Sequence, residues 1–111
     1  MNWQEHVENW QEHVDNLSQG KTVQFRPKGN SMQPIIESGN LVTVEPIKDH
    51  TLIKKGDVVL CKVKGHHYVH LVTATQQKMG GMRFQIGNNK SHTNGWVGEN
   101  QVYGKVTKVE Q

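Results

Sequence analysis

The spacing of apolar positions changes character once along the chain. Residues 2–8 read Asn-Trp-Gln-Glu-His-Val-Glu, and residues 9–15 repeat them as Asn-Trp-Gln-Glu-His-Val-Asp. This seven-residue period sets Trp3, Val7, Trp10, Val14 and Leu17 at alternating steps of four and three, which is one stripe of an α-helix. Ser18-Gln19-Gly20 closes the segment, with Gly20 suited to a helix C-terminus. The pattern predicts an amphipathic N-terminal helix over residues 1–20. Two heptads are too few for an independent helix or coiled coil, so the stripe must dock. Two partners suit it: the chain's own body, or a second copy through residues 3–17, which would make a homo-oligomer.

From Lys21 onward the period drops towards two. Thr22–Arg26 alternates and ends at Pro27, and Leu41–Val44 is stopped by Pro46. Between them Ser31–Glu37 reads as a turn with a short helical piece interrupted by Pro34. Asp57–Lys64 turns through Lys64-Gly65-His66 into a second strand, His67–Thr75. Arg83–Ile86 follows the Gly80-Gly81 turn, residues 87–98 read as loop, and Val102–Val109 closes the chain. Short strands punctuated by turns predict a mainly β domain over residues 21–111, a small twisted, barrel-like sheet behind the short helix. Composition agrees: there is one alanine, Ala74, while Val and Thr are common and the 11 glycines supply turns. A chain of 111 residues suffices for one core.

Charge is divided unevenly. The first twenty residues carry four acids and no Lys or Arg, whereas the remainder carries 13 basic and six acidic residues. A basic body attracts nucleic acid, but these lysines are scattered, without an Arg cluster or interleaved aromatics, so nucleic acid is not the expected partner. Cys61 is the one cysteine, set in the apolar run Val58-Val59-Leu60-Cys61, and reads as a packed thiol. No run of 18 apolar residues and no secretory leader is evident, so the expectation is a cytoplasmic protein without a membrane partner. His66 and His67, as strand neighbours, point to opposite faces and make a poor chelate. His6 and His13 would need further ligands, so neither a metal nor another cofactor is expected.

The candidate chemistry begins at Ser31, in Lys28-Gly29-Asn30-Ser31-Met32-Gln33-Pro34. A serine between a glycine-bearing turn and a proline stop is placed as an exposed nucleophile would be. Its hydroxyl needs a base. In His67-Tyr68-Val69-His70-Leu71-Val72, alternation puts Tyr68, His70 and Val72 on one face. His70 there is either a satisfied polar group beside a core or a base in an apolar cleft.

Five segments occur in a recognisable order: Gly29-Asn30-Ser31-Met32-Gln33-Pro34, Gly56-Asp57-Val58-Val59-Leu60, Val69-His70-Leu71-Val72, Gly87-Asn88-Asn89 and Val102-Tyr103-Gly104-Lys105-Val106. Together they resemble the superfamily of serine peptidases that includes type I signal peptidases and the LexA/UmuD self-cleaving proteins, over about residues 22–109. The resemblance implies the LexA/signal-peptidase catalytic-domain fold, with Ser31 as nucleophile. Most bacterial members carry a lysine base where this chain has His70. Val69-His70 is similar to the histidine variant of the endoplasmic-reticulum and archaeal signal peptidases, with Leu71 in place of an arginine.

In those relatives an acid following the Gly-Asp-Asn box assists the histidine. Here the box is Gly87-Asn88-Asn89, and Lys90-Ser91-His92-Thr93-Asn94-Gly95-Trp96 contains no acid. Asn94 or Asn88 is then expected to orient His70, with His92 a third choice. Asparagine can orient a ring but adds no charge; in the Ser-His-Asp triad exchanging Asp for Asn lowers kcat about 10⁴-fold, chiefly through the wrong tautomer. Self-cleavage is disfavoured, because Gln19-Gly20 lies only eleven residues before Ser31. Two functions are expected from different classes. One is a serine endopeptidase acting on an extended peptide through Ser31 and His70. The other is a catalytically silent peptidase fold serving as a binding or structural module, such as an oligomeric scaffold, virion component or regulator, assembled through the N-terminal helix. Both imply a protein or peptide partner.

Overall fold

Residues 9–111 are described by the computed structural model, which gives one α-helix and a single seven-stranded sheet. The helix α1 spans Trp10–Ser18. It ends as its sequence suggests: Gly20 takes a φ of 83°, its amide meets the Leu17 carbonyl at 3.0 Å, and the Lys21 amide meets the Asn16 carbonyl at 3.0 Å. That pair of bonds satisfies carbonyls the helix would otherwise leave open.

Val14 and Leu17 are buried against the sheet. Trp10 stands edge-on to Phe25, with centroids 5.9 Å apart, and stacks on His67 at 5.7 Å. His13 covers the other ring, 4.6 Å from Phe25. Burial lowers the His67 pKa from its ordinary value, and Lys62 lowers it further. The described half of the heptad stripe therefore docks on the chain's own body. Trp3, Val7 and His6 lie outside the described residues.

The strands are β1 (Val23–Phe25), β2 (Leu41–Pro46), β3 (Val58–Val63), β4 (His66–Lys78), β5 (Gly81–Gly87), β6 (Thr93–Gly98) and β7 (Val102–Glu110). They pair antiparallel in the order β1-β2-β7-β3-β4-β5-β6. β3 explains its own unbroken apolar run. Val58 and Leu60 enter one core with α1, Phe25 and Val44, while Val59, Cys61 and Val63 enter a second with Phe84, Ile86 and Val97. A strand covered on both faces has no polar side to show.

β3 and β6 are three places apart in the sheet, yet a side chain at Gly95 of β6 would lie 3.5 Å from Val63 of β3. The sheet thus curls on itself, in keeping with the barrel-like fold expected. The 87–98 segment, read as loop, contains β6. Thr93-Asn94-Gly95 has little strand propensity of its own. Pairing with β5 (Ile86↔Gly95, Gln85↔Trp96, Phe84↔Val97) and burial of Val97 hold it extended. β4 is also longer than its sequence suggests, because β5 extends the ladder to Lys78. Among the described residues, no helix is long and apolar enough to cross a membrane.

Gly104 lies between β2 and β3 and beneath α1. A Cβ there would meet Val44 Cγ1 at 2.5 Å, the Glu45 carbonyl at 3.0 Å and Leu17 Cδ1 at 3.1 Å. Gly104→Ala should therefore lower the urea-unfolding free energy by about 1–3 kcal/mol through overpacking. Gly80→Ala, where a Cβ meets nothing within 4 Å, serves as the neutral control. Equal stability of the two variants would contradict this packing.

Candidate active site

Ser31 is carried on the connection between β1 and β2, a loop closed at its base. Phe25 ends β1, Pro27 cannot extend the ladder as a donor, and its carbonyl accepts from the Gly39 amide at 2.9 Å. Arg26 reinforces the closure through Nη1, which donates to the Gly39 carbonyl at 2.8 Å. Inside the loop the Gly29 amide, at φ 136°, donates to Ser38 Oγ at 3.1 Å, and the Ile36 amide donates to the Met32 carbonyl at 3.0 Å. Met32 and Ile36 are buried in the first core. Two apolar anchors thus fix the turn on either side of Pro34. The helical piece expected here is that single hydrogen-bonded turn.

His70 comes from β4, where it pairs with Val59 of β3 and is sealed from solvent. Ser31, expected as an exposed nucleophile, is itself buried at 4% exposure, in a turn that Met32 and Ile36 anchor in the first core. The two meet: Ser31 Oγ lies 3.2 Å from His70 Nε2. On the far side of the ring, His70 Nδ1 lies 2.8 Å from Asn94 Oδ1, on β6. An amide oxygen only accepts, so Nδ1 carries the proton in the neutral ring and Nε2 presents its lone pair to the serine. That is the tautomer a general base requires. The serine contact is longer than an ideal hydroxyl hydrogen bond, and such bonds tighten when substrate is bound.

A model of the Peptidase S24-like family matches residues 2–106. The chain belongs to that family. No curated protein matches it. The match agrees with the LexA/UmuD-like superfamily that the five sequence segments resemble, and it extends across α1 as well as the sheet.

In this S24-like chain the two asparagines named as orienters are divided between two tasks. Asn94 reaches the ring. Asn88 Oδ1 instead accepts from the Lys90 amide at 2.8 Å and the His92 amide at 3.0 Å, shaping the turn into β6. The Asn88 side chain is buried and its Nδ2 has no hydrogen-bond partner. His92 closes the same turn through its carbonyl, which accepts from the Asn88 amide at 2.9 Å. A short polar residue at the start of a turn commonly bonds to the backbone just ahead, which is why Asn88 bends the loop rather than reaching across it.

Asn89 has a role that its sequence did not announce. Its amide donates to the Ser31 carbonyl at 3.0 Å, and its Nδ2 donates to the Gln33 carbonyl at 2.8 Å. The segment that delivers Asn94 is thereby stapled to the turn that delivers Ser31. The only signal available was its place directly after Gly87-Asn88.

Beside the S24-like serine turn lies an apolar recess of about 10 Å³, lined by Pro27, Gly29, Met32, Ile36 and Val69. Larger hollows of about 330 Å³, along residues 45–53, and about 340 Å³, near Arg83 and Glu99, share no lining residue with it. Trp96 is 41% exposed on β6, two residues beyond Asn94.

Asn89→Ala removes one buried-side bond to the serine turn and should cost about 1 kcal/mol of stability. Amide hydrogen exchange in residues 31–36 should accelerate by more than the global loss explains. Exchange that slows or stays level there would show that the staple does not hold the turn.

Proposed function

We propose that this S24-like chain is a serine endopeptidase in which Ser31 is the nucleophile, His70 the general base and Asn94 the residue that orients the base. The reading is carried by one observation: an unbroken path from Ser31 Oγ through both ring nitrogens to Asn94 Oδ1, built from one loop and two strands. In the forward step His70 Nε2 takes the Ser31 proton as Oγ attacks a peptide carbonyl. The ring then returns that proton to the leaving amine, and water repeats the cycle to release the acyl group. Burial of both side chains strengthens each of these electrostatic contacts relative to water.

An extended peptide suits the architecture. The outermost strands of the sheet are β1 and β6. β1 runs into the Ser31 loop, and β6 carries Asn94. A peptide added to an edge strand would be held by main-chain hydrogen bonds with its carbonyls presented in order. The recess beside Met32 admits a small apolar group at most.

A second reading is a peptidase fold kept as a binding or structural module. It draws on Asn94 standing where a carboxylate would offset the imidazolium charge. A fluorophosphonate probe separates the two. Labelling at Ser31 is expected in the parent, absent in Ser31→Ala, and slower by about 10²–10⁴ in His70→Gln. Asn94→Asp, which supplies a charged acceptor in the same place, should accelerate labelling about tenfold or more. A folded parent and a folded Asn94→Asp variant that both leave Ser31 unlabelled would overturn the peptidase reading in favour of the silent module.

A further inference from the structure

Alternate residues of a strand share a face, and on β4 that places His66, Tyr68 and His70 in a row. Tyr68 lies against His70 with ring centroids 4.6 Å apart and planes 29° from parallel. His66 approaches Tyr68 from the exposed end of the strand, with centroids 6.5 Å apart. Tyr68 is half-buried against the second core, so its ring forms a fixed wall to the site.

A ring that takes the serine proton becomes a buried cation. In a Ser-His-Asp site a carboxylate offsets that charge. Here Nδ1 faces the neutral Asn94 amide, and Nε2 faces the Ser31 hydroxyl. Among the described residues, the group that stands at the carboxylate's position beside Nδ1 is this neutral amide. On β3, Cys61 stands opposite Tyr68, and Asp57 at the strand entrance is taken up by the Lys54 amide and Lys105 Nζ. The Lys64 side chain passes Gly95, next to Asn94, and is exposed. His67 turns to the opposite face of β4, onto Trp10. On the Ser31 loop Lys28 and Glu37 are exposed, as are Lys90 and His92 ahead of β6 and Arg83 on β5.

An aromatic face carries partial negative charge, and a cation within about 6 Å of its centroid is attracted to it. We propose, on the reading of Ser31 and His70 given above, that Tyr68 is a positioning residue whose π face stabilises the imidazolium form of His70, filling part of the role that a carboxylate has in Ser-His-Asp sites. The phenol hydroxyl is not required for this; the aromatic face is.

Three substitutions in the full chain separate the face from mere bulk. Tyr68→Phe keeps the face, whereas Tyr68→Leu and Tyr68→Met keep apolar volume without it. The His70 ring is titrated by NMR, and fluorophosphonate acylation of Ser31 is followed across pH. The Phe variant should follow the parent. The Leu and Met variants should acylate about tenfold more slowly, with ring titration and acylation profile both displaced to lower pH. Amide spectra identify the folded variants, and Met is read where Leu does not fold. Leu or Met variants that titrate with Phe would overturn the proposal, as would a Phe variant displaced as far as Leu. Failure of the peptidase reading shows separately, as a parent unlabelled at Ser31, while the ring titration still decides whether Tyr68 stabilises the cation.

Discussion

The hydrogen bond between His70 Nδ1 and Asn94 Oδ1 decides what the buried serine can do. An imidazole sealed from solvent must place its one proton on one nitrogen or the other. An acceptor at Nδ1 commits the proton there and leaves Nε2 to receive from Ser31. With a donor in that position the ring would present a proton to the serine and the pair would be inert. The amide sets this choice by direction alone. It adds no charge, so the step that creates the imidazolium gains less from its surroundings than it would beside a carboxylate. The geometry of a triad and the electrostatics of a triad are therefore separable in this chain. The order of hydrogen bonds is that of a triad, while Asn94 brings no charge to it.

That bond depends on the curl of the sheet. Ser31, His70 and Asn94 come from the β1–β2 loop, β4 and β6, and β1 and β6 are opposite edges of the strand order. A flat sheet would hold them apart. Curling over the second core brings Gly95, at a φ of 143° that favours glycine, against Val63, and this carries the adjacent Asn94 to the ring. Asn89 then ties the β5–β6 connection to the serine turn. The hydrophobic effect supplies the closure, and two polar links set the register of the closed ends. α1 contributes from the opposite side, filling the space that Gly104 leaves between β2, β7 and the helix.

Much of this was legible in the sequence because it followed from short-range rules. The heptad spacing marked the docking stripe, Gly20 marked its end, and alternation placed Tyr68 and His70 on one face before any contact was known. Ser31 and His70, the proposed nucleophile and base, emerged from five ordered segments rather than from any one of them. What the sequence hid was long-range. Thr93-Asn94-Gly95 reads as loop because its extended form is imposed by β5. Asn88 and Asn94 were equivalent as residue types, and only the fold shows that one bonds to its own turn and the other to the ring. Asn89 acts through a partner 56 positions earlier in the chain, a distance that no local pattern reports.

Nitrogen-15 NMR of the histidine-labelled full chain reads the position of this one His70 proton directly. At a pH where His70 is neutral, the ring is expected to show a protonated Nδ1 and a bare Nε2, and replacing Asn94 with Leu is expected to abolish that preference. A bare Nδ1 with the proton on Nε2 in the parent protein would contradict it.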